Sequence, residues 1–148
     1  MIYEEDVFKM WYDGRKDLPL GSPAKGVPLS ASSTRSVGYA TSTDGLTWTK
    51  HSANPVFGHD AGGVDVSRRE GELLMLFESH EGTRMATSRD GIAWEERGFY
   101  VRKSGGEVDA EGHVTPFLLW DGSKTPRLYA GVSRDASWNR LKIARIEN

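Results

Sequence analysis

The stretch Gly38-Tyr39-Ala40-Thr41-Ser42-Thr43-Asp44-Gly45-Leu46-Thr47-Trp48 returns later in the chain as Arg84-Met85-Ala86-Thr87-Ser88-Arg89-Asp90-Gly91-Ile92-Ala93-Trp94. Ser42 and Ser88, Asp44 and Asp90, and Trp48 and Trp94 are each 46 residues apart. A worn third copy follows at Ser133-Arg134-Asp135-Ala136-Ser137-Trp138. A fixed period of about 40–50 residues marks a solenoid, a propeller or an array. The rest of the chain is therefore read as what fills each period.

The second period is the cleanest. Val64 to Ser67 reads as a short strand, and Arg69-Glu70-Gly71 as a turn. Leu73-Leu74-Met75-Leu76-Phe77 is apolar at every position, which predicts a strand buried on both faces. Glu81-Gly82 turns the chain into Thr83 to Ser88, and Asp90-Gly91 turns it again into Ala93 to Arg97. Four short strands joined by tight turns make one antiparallel meander, the unit of a propeller blade. The 17 glycines suit a chain that needs this many turns.

The first period begins with Ile2-Tyr3, read as the tail of a strand, and then Phe8 to Tyr12, closed by Asp13-Gly14. Residues 15–36, with Pro19, Pro23 and Pro28, read as a long loop. Val37 to Thr41 and Leu46 to Lys50 flank an Asp44-Gly45 hairpin turn, and Asn54-Pro55 ends the pattern. In the third period Asp109-Ala110-Glu111-Gly112 matches Asp60-Ala61-Gly62-Gly63. Strands follow at Val114 to Trp120, Arg127 to Gly131 and Leu141 to Ile146, with Asp121-Gly122 as a turn. The expectation is an all-β, propeller-like single domain over 1–148. It holds three four-stranded antiparallel blades, about 1–53, 60–98 and 108–148, with the outer two incomplete. No capped apolar period of helical spacing is sustained anywhere.

The bulk properties exclude several functions. A formal charge of -2 leaves no basic footprint for nucleic acid or an anionic membrane. No apolar run approaches the roughly 20 residues of a membrane span. Met1-Ile2-Tyr3-Glu4-Glu5-Asp6 is acidic where a signal peptide is basic and then apolar, so the expected location is the cytoplasm. Without cysteine there is neither disulfide nor thiol chemistry. His51, His59, His80 and His113 are not at ligand spacing, so neither a metal nor another cofactor is expected.

Phe8-Lys9-Met10-Trp11-Tyr12-Asp13-Gly14, Val37 to Ser42 with Asp44-Gly45-Leu46-Thr47-Trp48, and Asn54-Pro55-Val56 resemble the five-bladed β-propeller glycoside hydrolases. These are the arabinanase, xylosidase and fructosidase type and their mannoside-phosphorylase relatives. The resemblance implies an axial site in which an inverting member uses a carboxylate base, a carboxylic acid and a carboxylate that tunes the acid. Two of the carboxyl groups stand roughly 6.5–9.5 Å apart, so that a water fits beyond the sugar. It implies catalytic roles for Asp65, in the tuning position, and for Glu111, in the acid position. Glu111 lacks the Pro that commonly follows, and the base is expected on the first strand of blade one, of which Ile2-Tyr3 reads as the tail.

Weighed by repetition, Asp44 and Asp90 are turn caps that accept the Gly45 and Gly91 N–H groups. Trp48 and Trp94 are blade packing. Trp11 and Trp120 are candidates to stack on a sugar, with burial against a neighbouring blade the plainer role. Asp109 and His113 are further candidates for substrate binding. The functional expectation is a glycan-active protein that hydrolyses or binds a glycoside in an axial groove. The alternative is a non-catalytic propeller fragment acting as an interaction module. A carbohydrate is the ligand expected of the first, and a homodimer is the expected assembly of either. Leu74, Leu76, Val37 and Tyr39 are expected near uncovered blade faces that a second copy would close.

Overall fold

The computed structural model describes residues 1–15, 35–120, 122, 125–135 and 142–146, the last group by its backbone alone. Most of the loop read at 15–36, the Asp121 turn position and the Ala136 to Trp138 end of the third copy lie outside the described residues. The described residues form eleven strands and one 3₁₀ turn. The first sheet is an antiparallel meander of β1 (Ile2–Glu4), β2 (Val7–Arg15), β3 (Arg35–Ser42) and β4 (Thr49–Lys50), in that order. The second meander is β5 (Asp65–Arg69), β6 (Glu72–Ser79), β7 (Gly82–Ser88) and β8 (Glu95–Arg102). The third comprises β9 (His113–Leu119), β10 (Arg127–Val132) and β11 (Lys142–Ile146), preceded by the 3₁₀ turn Glu107–Asp109. One residue pair, Ser79 with His113, joins the second and third meanders into a seven-stranded sheet.

The apolar run on β6 explains how the three meanders hold together. Side chains alternate across a strand. Leu73, Met75 and Phe77 point into a core shared with Trp11, Val37, Tyr39 and Phe57 of the first meander. Leu76, with Leu74 beside it, faces the other way, onto Leu118 and Leu128 of the third. Both faces of β6 are thus buried, as its composition predicts. Burying this many large side chains is the main favourable term in the fold, at about 25 cal/mol per Å² of apolar surface.

Three local expectations are corrected. Asp13-Gly14 is not a turn: β2 runs through it, pairing Asp13 with Val37 and Gly14 with Ser36. The Asp44 and Asp90 carboxylates do not take the glycine N–H groups. Asp44 Oδ1 accepts from Leu46 N (2.8 Å) and Thr47 N (2.7 Å), and Asp90 Oδ1 from Ile92 N (2.8 Å) and Ala93 N (2.9 Å). The Gly45 and Gly91 N–H groups go instead to the hydroxyls of Ser42 and Ser88, at 2.9 and 2.8 Å. These backbone donors hold both carboxyls below their ordinary range. The carboxylate-bonded turn consumes residues 43–47, so the strand read from Leu46 shrinks to Thr49–Lys50. Lastly, Val37, Tyr39 and Leu76 are buried within the chain itself and Leu74 is half-buried, so these residues leave no open face for a second copy.

Candidate functional site

Polar residues gather where the strands leave the core. β6 turns polar at Glu78-Ser79-His80, directly after Phe77. β2 and β3 meet at the same end through the Arg15–Arg35 pair, and the Ser79–His113 pair brings in the start of β9. Between them opens a groove of about 500 Å³. Its walls carry Arg15, Arg35 and Arg84, the carboxylates Asp60, Glu78 and Glu111, and the rings of His59, His80 and His113.

Most of these charges are engaged with one another. The Arg35 guanidinium donates to Glu78 Oε1, and the Arg35 backbone N–H donates to Asp60 Oδ1 at 2.7 Å. Burial works against the Arg35 charge. The hydrogen bond to Glu78 and the charges of Glu78, Asp60 and Asp13 outweigh it and hold the guanidinium above its ordinary value. The other oxygen of Glu78 accepts from Thr115 N at 3.1 Å. That bond braces a left-handed threonine (φ 44°) at an irregularity where β9 and β10 shift register. Arg84 pairs with Glu96, which also takes His59 Nδ1 at 3.0 Å, and the His59 ring stacks on Phe57 at 4.8 Å. Glu111 differs. Its backbone is tied down, with N donating to Ser133 O at 3.1 Å. Its carboxyl has no hydrogen-bond or ion-pair partner among the described residues.

The other expected site residues fall elsewhere. Asp65 is not on the groove wall: its Oδ2 accepts the Leu118 N–H at 3.1 Å, and burial pushes the carboxyl up despite that bond. Asp65 and Glu111 are therefore not brought together in this groove. Trp11 is 6% exposed. Its Nε1 donates to Gly91 O at 2.7 Å and its ring packs edge-on to Trp94 at 6.1 Å, so it is a core residue and no platform for a sugar. Trp120 lies beneath the Arg69 guanidinium, 3.1 Å from the ring centroid, and packs on the Leu76 and Leu118 cluster. Asp109 and His113 are buried and face each other, His113 Nε2 to Asp109 Oδ2 at 3.3 Å. Burial pushes the Asp109 carboxyl up, but two hydrogen bonds from Ser104 and the contact with His113 outweigh it and leave it low.

Sequence reasoning missed Arg35, Glu78, Arg84 and Glu96. Arg35 sits at the end of the segment read as loop. Glu78 carries one signal, being the first charged residue after the strand buried on both faces. Among the described residues no group of three His, Cys, Asp or Glu side chains is arranged to hold a metal. No helix among them is long and apolar enough to cross a membrane.

No family model matches the chain, and no curated protein matches it by sequence. Solved structures do match in fold. A Bombyx mori GH32 beta-fructofuranosidase mutant in complex with sucrose is 15% identical, with a TM-score of 0.59 over 87% of this chain and 27% of its own. The native Bacillus subtilis arabinanase is 16% identical, with a TM-score of 0.61 over 99% of this chain and 50% of its own. A glycosyl hydrolase from Bacteroides ovatus is 19% identical, with a TM-score of 0.60 over 98% of this chain and 47% of its own. The chain thus has the β-propeller fold of these glycoside hydrolases and spans at most half the length of each.

Proposed function

We propose that the groove binds a glycoside and that Glu111 is the group that meets it. One observation carries this reading. Of the carboxylates on the groove wall, Asp60 and Glu78 are held by Arg35, while the Glu111 carboxyl is unengaged among the described residues. Such a group can accept a hydrogen bond from a sugar hydroxyl or, when protonated, give its proton to a leaving oxygen. Hydrolysis with inversion needs a second carboxyl roughly 6.5–9.5 Å away. Asp65 would have to give up Leu118 to approach that role, whereas recognition needs no rearrangement. Glycoside binding is therefore the primary reading, and hydrolysis with Asp65 as the partner of Glu111 is its extension.

Titration of the parent with neutral furanose and pyranose oligosaccharides, followed by calorimetry, tests this. Glu111→Gln should weaken binding about ten- to a hundredfold, the worth of one charge-assisted hydrogen bond, with the melting temperature unchanged. A parent that binds none of the panel would move the chain to the other reading, a non-catalytic interaction module. The other two carboxylates of the groove, Asp60 and Glu78, are both held by Arg35, so among the described residues no second unengaged carboxyl stands with Glu111, which favours that module. Both readings include association into a homodimer, for which Met1, Tyr3, Leu46, Val108 and Phe117 are the large exposed apolar residues among those described. Light scattering that reports the 16.4 kDa chain mass at micromolar concentration would remove the dimer.

A further inference from the structure

We infer that Asp109 and His113 act as positioning residues: with Thr83 and Ser104 they form a buried clamp that aims the Glu111 carboxyl into the groove. The inference rests on the reading of Glu111 as the ligand-facing group, and it reassigns two residues expected from the sequence to touch the ligand themselves. Glu111 lies midway between Asp109 and His113 in the chain. His113 is 1% exposed. Its Nδ1 lies 3.0 Å from Thr83 Oγ1 on β7, and its Nε2 lies 3.3 Å from Asp109 Oδ2. Asp109 in turn accepts the Ser104 hydroxyl on Oδ1 and the Ser104 N–H on Oδ2, each at 2.7 Å.

The protons in this chain can be placed. The Asp109 carboxyl is held low and is acceptor-only when ionised, so Nε2 of His113 carries a hydrogen and donates it to Oδ2. In the neutral ring Nδ1 is then an acceptor, and the Thr83 hydroxyl donates to it. A buried polar chain satisfied at each link is rigid, because any displacement leaves a desolvated group unpaired. Here it connects β7, the segment that follows β8, the 3₁₀ turn and the start of β9.

Two further contacts make the segment between the clamp residues stiff. Gly112 N donates to Asp109 O at 2.9 Å, closing a tight turn around Glu111. Gly112 has φ +87°, and a Cβ there would stand 2.5 Å from His80 Cα, against the β6–β7 turn. The loop is therefore pressed onto that turn with no room to shift. The Glu111 backbone is fixed at both sides, and the carboxyl is the part left to face the groove.

The absence of cysteine allows a direct test. Glu111→Cys gives a single thiol for a nitroxide label, and Glu95→Cys, at an exposed position of β8, gives a control site. The label at 111 should tumble slowly in the parent background and severalfold faster with His113→Ala. His113→Gln, whose amide can still donate to Asp109 and accept from Thr83, should restore most of the slow motion. The label at 95 should not change in any of these backgrounds. Equal motion at 111 with and without His113→Ala would overturn the clamp, as would equal loosening at 95 and 111, which would show only a softer fold. Should His113→Ala not fold, Thr83→Val and Asp109→Asn, each of which weakens one link, carry the same comparison. The spectra require no ligand, so they decide the clamp separately from the titration that decides the role of Glu111.

Discussion

The two related turns should respond unequally to the same substitution. Gly45 and Gly91 occupy matching places in the repeat, with φ of +72° and +78°. Alanine at either site must enter the left-handed region, at about 1–2 kcal/mol, partly offset by about 0.4–1 kcal/mol from a less flexible unfolded chain. There the likeness ends. A Cβ on Gly45 would lie 3.5 Å from Phe8, an ordinary contact. A Cβ on Gly91 would lie 2.5 Å from Trp11 Cζ2 and 3.2 Å from Leu73 Cδ1. Both of those side chains are buried in the core between the first two meanders. Forcing a methyl into packed surroundings adds about 1–3 kcal/mol. Gly45→Ala should therefore lose about 1 kcal/mol, and Gly91→Ala about 2–4 kcal/mol. Urea midpoints at constant slope read the difference. Trp11→Phe, which removes the atom in the way, should narrow the gap in a double-mutant cycle. Equal losses at the two glycines, or a gap that Trp11→Phe leaves intact, would refute this packing of the turn against the indole.

Two further outcomes follow from the backbone and from burial. The two-residue β1–β2 loop places Glu5 and Asp6 at φ of 53° and 61° without a glycine. Replacing the pair by Asn-Gly, which favours that geometry, should stabilise by about 1 kcal/mol in the same urea assay; a loss would show that the Tyr3–Asp6 hydrogen bond outweighs the backbone term. Burial raises the Asp65 pKa in the folded state, so Asp65 makes the fold less stable as pH rises from the ordinary carboxylate value, about 3.9, through its own folded value. Asp65→Asn, which can still accept from Leu118, should be more stable than the parent at neutral pH. Its advantage should vanish in acid below that range. Thermal melts across pH decide it, and an advantage that persists in acid would show that ionisation of Asp65 is not the cause.

Much of the architecture was legible because it depends on local periodicity. The 46-residue repeat announces equivalent turns, and the Ser and Asp side chains that build each turn lie within five residues of the donors they satisfy. The five apolar residues on β6 announce a strand covered on both sides, since period-2 alternation would leave one face polar. Asp13-Gly14 shows where such reasoning fails. The dipeptide favours a turn, but pairing across β2 and β3 continues to Arg15 and Arg35 and overrides it.

The candidate site was legible only in part. Glu111 is marked by the family resemblance and by standing where the earlier copy has Gly62. Its position in the chain does not show that Glu111 lines a groove while Asp109, two residues earlier, is buried. That separation comes from Thr83 on β7, 30 residues from His113, and from Ser104 within the β8–β9 connection itself. The same holds for Arg35 and Glu78, 43 residues apart and joined by an ion pair, and for Trp11, whose indole is claimed by a carbonyl 80 residues away. The sequence by itself determined most of the strands, the Ser–Asp turns and the two-sided burial of β6, because these follow from backbone conformation and from side-chain pattern over a few residues. The tertiary structure alone decided which charged groups are neutralised and which line the groove with no partner among the described residues. Pairing and desolvation depend on partners that the chain brings close only when its meanders pack.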